Sequence, residues 1–219
     1  VKGTEMITSK HQCLGLDIST SVVGFCGLAG EDIWEVEEDG ELLVEQGRLE
    51  TLDAIKLTGT KLENLWQKAD YVSDWFFNWK AKNPDVVITK IFVEENAKRF
   101  AEGFTSADVI LTLAKFNGIV SYLAHKTFDA EVFNINVTKA RSAIGFKNKL
   151  DGAIDPLTKK KMTVKEKVFN HVIALHPEFP WKKHVAKSGS HKGNEVFDDC
   201  SRDMCDAYVV CKGGMSIIT

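Results

Sequence analysis

The sequence has no C-x-x-C pair. Its five cysteines, an odd number, stand at positions 13, 26, 200, 205 and 211 of 219 residues. That spacing argues against a zinc cage or a disulfide framework and predicts buried free thiols in a reducing cytoplasm. Also missing is an apolar run of membrane-spanning length, since the richest stretch, 109–124, is broken by Thr112, Lys115, Asn117 and Ser121, and no membrane partner is expected. The polar start, 1–10, lacks the apolar segment of a secretory signal and is expected to be a flexible N-terminus. No internal repeat or low-complexity tract divides the chain, whose length suits a single domain with a substantial core.

A basic excess is absent from the whole but present in one part. The formal net charge is -3, yet 139–192 carries 13 Lys or Arg against 4 Asp or Glu, on an otherwise acidic chain. Such asymmetry suits a polyanion held on one face, and it equally suits solvated loop lysines.

Period-2 and period-3.6 patterns order the rest. Apolar runs at 12–18 and 22–28, joined by Ser19, Thr20 and Ser21, read as an antiparallel hairpin, with a third strand at 41–52. A helix at 60–82 carries Leu62, Leu65, Trp66, Ala69, Val72, Phe76 and Trp79 on its core stripe and closes before Pro84. The near-continuous apolar strand 86–94 fits a central position covered on both faces. A loop, 95–106, leads to a helix at 107–126 that is apolar on more than one side, leaving surplus surface for a second subunit. A strand at 130–136, a short helix at 137–145, a lysine-rich loop at 147–162 and an amphipathic helix at 163–175 follow. The segment 177–194 reads as a mobile basic loop. A last helix, capped by Asp198 or Asp199, runs to 213. His171 and His176 are placed on a helix surface, and His184 and His191 in a loop. Three antiparallel strands followed by alternating helices and parallel strands give an α/β fold: a five-stranded mixed sheet with helices on both faces.

Four acids stand out against this order. Asp203 and Asp206 lie one turn apart on the last helix, while Asp17 and Glu94 end two apolar strands. An acidic helical pair is at home in a solvated first turn, and a lone strand-end acid in a turn. Four such groups meeting at one point repel unless divalent metal offsets them, and an all-oxygen ligand set suits magnesium or manganese.

The order of elements, with Asp17 in the first strand, Glu94 ending the fourth and Asp203 and Asp206 on the last helix, resembles the ribonuclease H-like fold. Within it the chain looks like the RuvC family of Holliday junction resolvases, with a likeness to viral or phage-type members. The stretches 14–24, 92–94, 139–145, 163–168 and 203–207 carry the likeness. The resemblance implies a metal-dependent endonuclease for branched DNA, working as a homodimer, with two ions held by Asp17, Glu94, Asp203 and Asp206 and with products bearing 5′-phosphates. Lysines near the bound phosphate fall on Lys165 and, with a one-residue mismatch, on Lys139. The aromatic that enters the junction falls on Phe100 or Phe104, in a loop that also carries Lys98 and Arg99. Arg141, Lys147 and Lys149 join the DNA-binding set. Lys165 is also readable as a solvated lysine of an amphipathic helix, and the loop aromatics as core residues.

Two other functions share parts of the pattern. Sugar kinases and actin-like ATPases open with a similar strand and hairpin, although this chain is short for two such lobes and has no recognisable second phosphate loop. A catalytically inactive nucleic-acid-binding protein would keep the basic segment without using the acids.

Overall fold

The computed structural model describes residues 10–30, 35–37, 40–42, 47–59, 61–95, 107–146, 161–189 and 192–218. In chain order these form β1 (Lys10–Ile18), β2 (Val22–Ala29), a small ribbon of β3 (Glu35–Glu37) and β4 (Gly40–Leu42), β5 (Leu49–Lys56), α1 (Leu65–Lys82), β6 (Val86–Glu94), α2 (Ala107–Phe128), β7 (Glu131–Ile135), α3 (Val137–Ala143), α4 (Val164–Leu175), a second ribbon of β8 (Lys183–Val185) and β9 (Glu195–Phe197), and α5 (Ser201–Ile217).

The main sheet has the order β5-β2-β1-β6-β7. β1 runs antiparallel to β2 and parallel to β6, β2 runs antiparallel to β5, and β6 runs parallel to β7. Strand alternation sorts the side chains into two cores. Leu14, Leu16, Val23, Phe25, Ile91 and Val93 point to α1 and α2, where they meet Val72, Phe76, Phe116 and Val120. Cys13, Cys26, Leu28 and Phe92 point the other way, against Ala140 of α3, Val168 and Val172 of α4, and Cys205, Ala207 and Val209 of α5. By the same alternation Asp17 and Glu94, two residues beyond Gly15 and Phe92, belong to the α5 side.

The helices start where local chemistry allows. Asn64 caps α1 by accepting from the backbone N–H groups of Trp66 and Gln67, both at 3.0 Å. Thr163 and Glu166 form a reciprocal capping box at α4, with the Thr163 N–H donating to Glu166 at 2.7 Å and the Glu166 N–H to Thr163 at 3.2 Å. That box fixes Lys165 in the first turn.

Several sequence expectations are corrected. The third sheet strand is 49–56, not 41–52, because β2 pairs Val22 with Lys56 and Leu28 with Leu49. Trp66 is 69% exposed and lies off the α1 stripe, whereas Trp75 packs beside Phe25 at 4.9 Å. Neither Asp198 nor Asp199 caps α5: the N-cap is Cys200, which makes no capping bond, and Asp198 instead accepts from the Cys200 N–H at 3.2 Å, one turn early. The segment 177–194 is not simply a loop, since its middle forms β8. His176 is half-buried rather than fully on the surface: its ring stacks edge-on to Tyr208 at 5.0 Å and its Nε2 is buried. Finally, α2 is by length and composition long and apolar enough to cross a membrane. Phe116, Val120 and Ala124 on one of its faces are fully buried in the core, which accounts for part of that character. All five cysteines are free.

Candidate active site

Asp17 lies one position past Leu16, the last residue of β1 in register with β6, where its partner is Val93. Glu94 follows Val93, so the two acids sit side by side at the carboxyl ends of adjacent parallel strands. They line one cleft of about 200 Å³ with Ser19, Glu95, Ile110, Leu113 and Asn117.

Asp203 and Asp206 reach the same place because α5 lies unusually close to the sheet. Asp17 is paired across the hairpin with Gly24. A Cβ on Gly24 would collide with the backbone carbonyl of Asp203, and one on Gly15 with the carbonyl of Ala207. The two glycines therefore form the seat on which the first two turns of α5 rest.

Two cations enter the group. The Lys165 ammonium lies 2.7 Å from Asp203 Oδ1 and 3.5 Å from Asp206 Oδ2. Arg141, mostly buried, places a guanidinium nitrogen 3.7 Å from Asp206 Oδ1. Neither Asp206 Oδ1 nor Arg141 Nε, both buried, has a hydrogen-bond partner.

The electrostatics record how closely the acids gather. Burial, then the charges of Asp206, Glu94 and Asp203, hold the Asp17 carboxyl well above the usual carboxylate range. Burial and the Asp206 charge raise Glu94, against the opposing pull of Arg141 and Lys165. Burial raises Asp206 as well, again opposed by Lys165 and Arg141. For Lys165, burial pulls downward but the hydrogen bond to Asp203 and the charges of Asp203, Asp206 and Asp17 prevail, so its pKa is raised.

The four expected acids are thus brought together, and of the expected cations Lys165 and Arg141 join them. Lys139 is exposed on α3 and forms no ion pair among the described residues. Lys98, Arg99, Phe100, Phe104, Lys147 and Lys149 lie outside the described residues. Sequence reasoning missed Asn117, which is buried and donates from Nδ2 to the Glu94 carbonyl at 3.3 Å, holding the end of β6 against α2. An amide within the most apolar helix was the available signal.

Among the described residues no three carboxylate, imidazole or thiol groups stand close enough to form a ready-made metal cage. The donor set nevertheless fits a hard divalent cation: it is all carboxylate, mutually repelling, and includes a buried oxygen with no hydrogen-bond partner. The space between Asp203 and Asp206 is bridged by the Lys165 ammonium, which supplies the positive charge that the acids require.

A mixed sheet in the order β5-β2-β1-β6-β7, with three antiparallel and two further parallel strands flanked by helices, is a ribonuclease H-like fold. Within that class the chain is RuvC-like in fold. Thermus thermophilus RuvC in complex with Holliday junction substrate matches with a TM-score of 0.52 at 13% identity, over 92% of this chain and 91% of that one. A second T. thermophilus RuvC structure gives a TM-score of 0.48 at 14% identity, over 92% of each chain. The yeast mitochondrial Holliday junction resolvase Ydc2 gives 0.43 at 14% identity, over 95% of this chain and 80% of that one. No protein-family model and no curated protein matches the sequence.

Proposed function

We propose that the protein is a divalent-metal-dependent endonuclease selective for branched DNA, which nicks four-way junctions in pairs and leaves 5′-phosphate ends. The observation that carries this reading is the meeting of Asp17, Glu94, Asp203 and Asp206 at the carboxyl edge of the sheet, with Lys165 and Arg141 beside them. The similarity in fold to T. thermophilus RuvC, solved in complex with Holliday junction substrate, supports the choice of branched DNA.

Magnesium or manganese bound by the four carboxylates would supply an activated water and would neutralise charge on the leaving oxygen. The chain's own residues do the rest. Asp17 and Glu94 are fixed by the strand ends, and Asp203 and Asp206 by the close seating of α5. Lys165, in the first turn of α4, is placed to stabilise charge gathering on the phosphate oxygens. Arg141 offsets the charges of Glu94 and Asp206 and so limits the cost of holding buried carboxylates together. A two-fold junction needs two coordinated cuts, which a homodimer supplies. Leu111 and Tyr122 of α2, 55% and 61% exposed, offer an apolar surface for the second copy.

The test is a panel of junction, fork, flap, duplex and RNA:DNA hybrid substrates in magnesium and in manganese, with Asp17→Asn as control. Cleavage of the branched substrates by the wild-type protein alone is the expected result. Cleavage retained by Asp17→Asn rejects the reading, and thermal stabilisation by ATP without any cleavage favours the phosphotransferase alternative.

A further inference from the structure

Of the basic segment singled out in the sequence, Arg141 and Lys165 serve the acid cluster, and the structure gives its last part a definite shape of its own. β8 and β9 pair antiparallel, with Lys183 opposite Phe197 and Val185 opposite Glu195. The Ala186 N–H donates to Asn194 O at 2.9 Å and the Gly193 N–H to Ala186 O at 2.8 Å, which extends the ribbon toward its tip.

Its base is anchored by aromatic side chains. Phe197 packs on Phe169 of α4 at 5.1 Å, and Trp181 packs on Phe179 at 4.8 Å while its Nε1 donates to the His176 carbonyl at 3.0 Å. Arg202 of α5 lies over the Phe169 ring at 5.3 Å. The ribbon is therefore fixed to the two helices that carry Lys165 and Asp203.

Between them runs a groove of about 490 Å³, lined in part by His184, Lys187, Glu166 and Arg202. Glu166 directly follows Lys165, and Arg202 directly precedes Asp203, so the groove begins one residue from the cluster on both helices. Three acids line it: Glu166 is engaged in the α4 capping box and Glu195 in an ion pair with Lys183 at 3.1 Å, while Asp199 stands exposed at the α5 end. Lys182, Lys187 and Lys192 are exposed and make no ion pair among the described residues.

We infer that the β8–β9 hairpin is an arm that grips the phosphate backbone of one duplex arm of the DNA beside the acid cluster. The inference rests on the nuclease reading and adds how the substrate is held. Three unneutralised lysines on a pre-anchored ribbon, at the edge of a site that handles phosphodiesters, complement a duplex backbone in charge. Lysines used this way set affinity and orientation without reading bases. Because the aromatic base fixes the ribbon in advance, little ordering cost is left for binding.

The experiment combines Lys182→Ala, Lys187→Ala and Lys192→Ala in the full chain. It measures binding to a synthetic four-way junction and to a linear duplex by fluorescence anisotropy, across a salt series, with EDTA present so that nothing is cut. Each lost phosphate contact flattens the plot of log K against log salt by about 0.9, so the triple variant should lose about 2.7 from its slope and bind at least about tenfold more weakly, whatever the arm sequence. The corresponding Lys→Arg triple should keep the wild-type slope. An unchanged slope in an alanine triple that melts like the wild type overturns the arm, even if the wild-type protein cuts junctions. Wild-type binding that depends on the lysines, in a protein that never cleaves, overturns the nuclease reading and leaves the arm standing. A wild-type protein that binds no DNA overturns both.

Discussion

Asp17, Glu94 and Asp206 keep their protons to higher pH than ordinary carboxyls, chiefly because burial strips them of water. In the unfolded chain these groups titrate in the normal range near pH 4. Between that range and their raised native values, the folded state holds protons that the unfolded state has released. Stability therefore falls as pH rises through this window and is greatest below it. The metal-free protein should become less stable from about pH 4 toward neutrality, and Asp17→Asn should flatten that decline and raise the melting temperature at pH 7 by several degrees, as read by calorimetry. An Asp17→Asn protein that melts lower than wild type at pH 7 would mean that the carboxyl is not under electrostatic strain. Lys165 gives the complementary prediction. Lys165→Met should reduce junction nicking by about 10²–10³-fold, in line with loss of one charge-stabilising donor, while junction binding changes far less. Equal losses in binding and in nicking would make it an ordinary phosphate contact.

At the scale of elements, the site depends on how closely α5 lies against β1 and β2. Gly24→Ala would place a methyl group into the Asp203 carbonyl. Overpacking of this kind costs about 1–3 kcal/mol, and here it should also lift the first turn of α5. The expected outcome is a folded protein with lowered melting temperature and greatly reduced nicking. Full activity in Gly24→Ala would show that the acids tolerate a displaced α5.

The same scale explains what the sequence could and could not tell. That Asp17 and Glu94 each end an apolar strand was legible, because each run stops at its acid; their common side follows from the register of β1 against β6 and the packing of α5. Which of the two expected cations Lys139 and Arg141 faces the acids was not legible: two residues apart on a helix, they are turned about 200° from each other, and only the packing of Ala140 on α5 decides it. Short ribbons such as β8 and β9, three residues each, are too brief to show a period. Asp198 satisfies every rule for a helix cap, yet its carboxylate is spent on the Cys200 N–H.

For the whole molecule, the account joins three features that are far apart in sequence: an acid cluster, a basic arm and an apolar helix face. If α2 carries the two-fold axis, Leu111→Glu should convert dimer to monomer in sedimentation and uncouple the paired nicks, leaving slow single cuts. A variant that remains dimeric and cuts in pairs would move the axis elsewhere. The central claim, that the four converging carboxylates cut branched DNA with the help of divalent metal, is tested most directly by incubating a labelled four-way junction with wild-type and Asp17→Asn protein across a magnesium titration. The account predicts symmetric nicks with 5′-phosphate ends from the wild type, dependent on the metal, and none from the variant. An intact junction at every magnesium concentration, or equal cutting by both proteins, would contradict it.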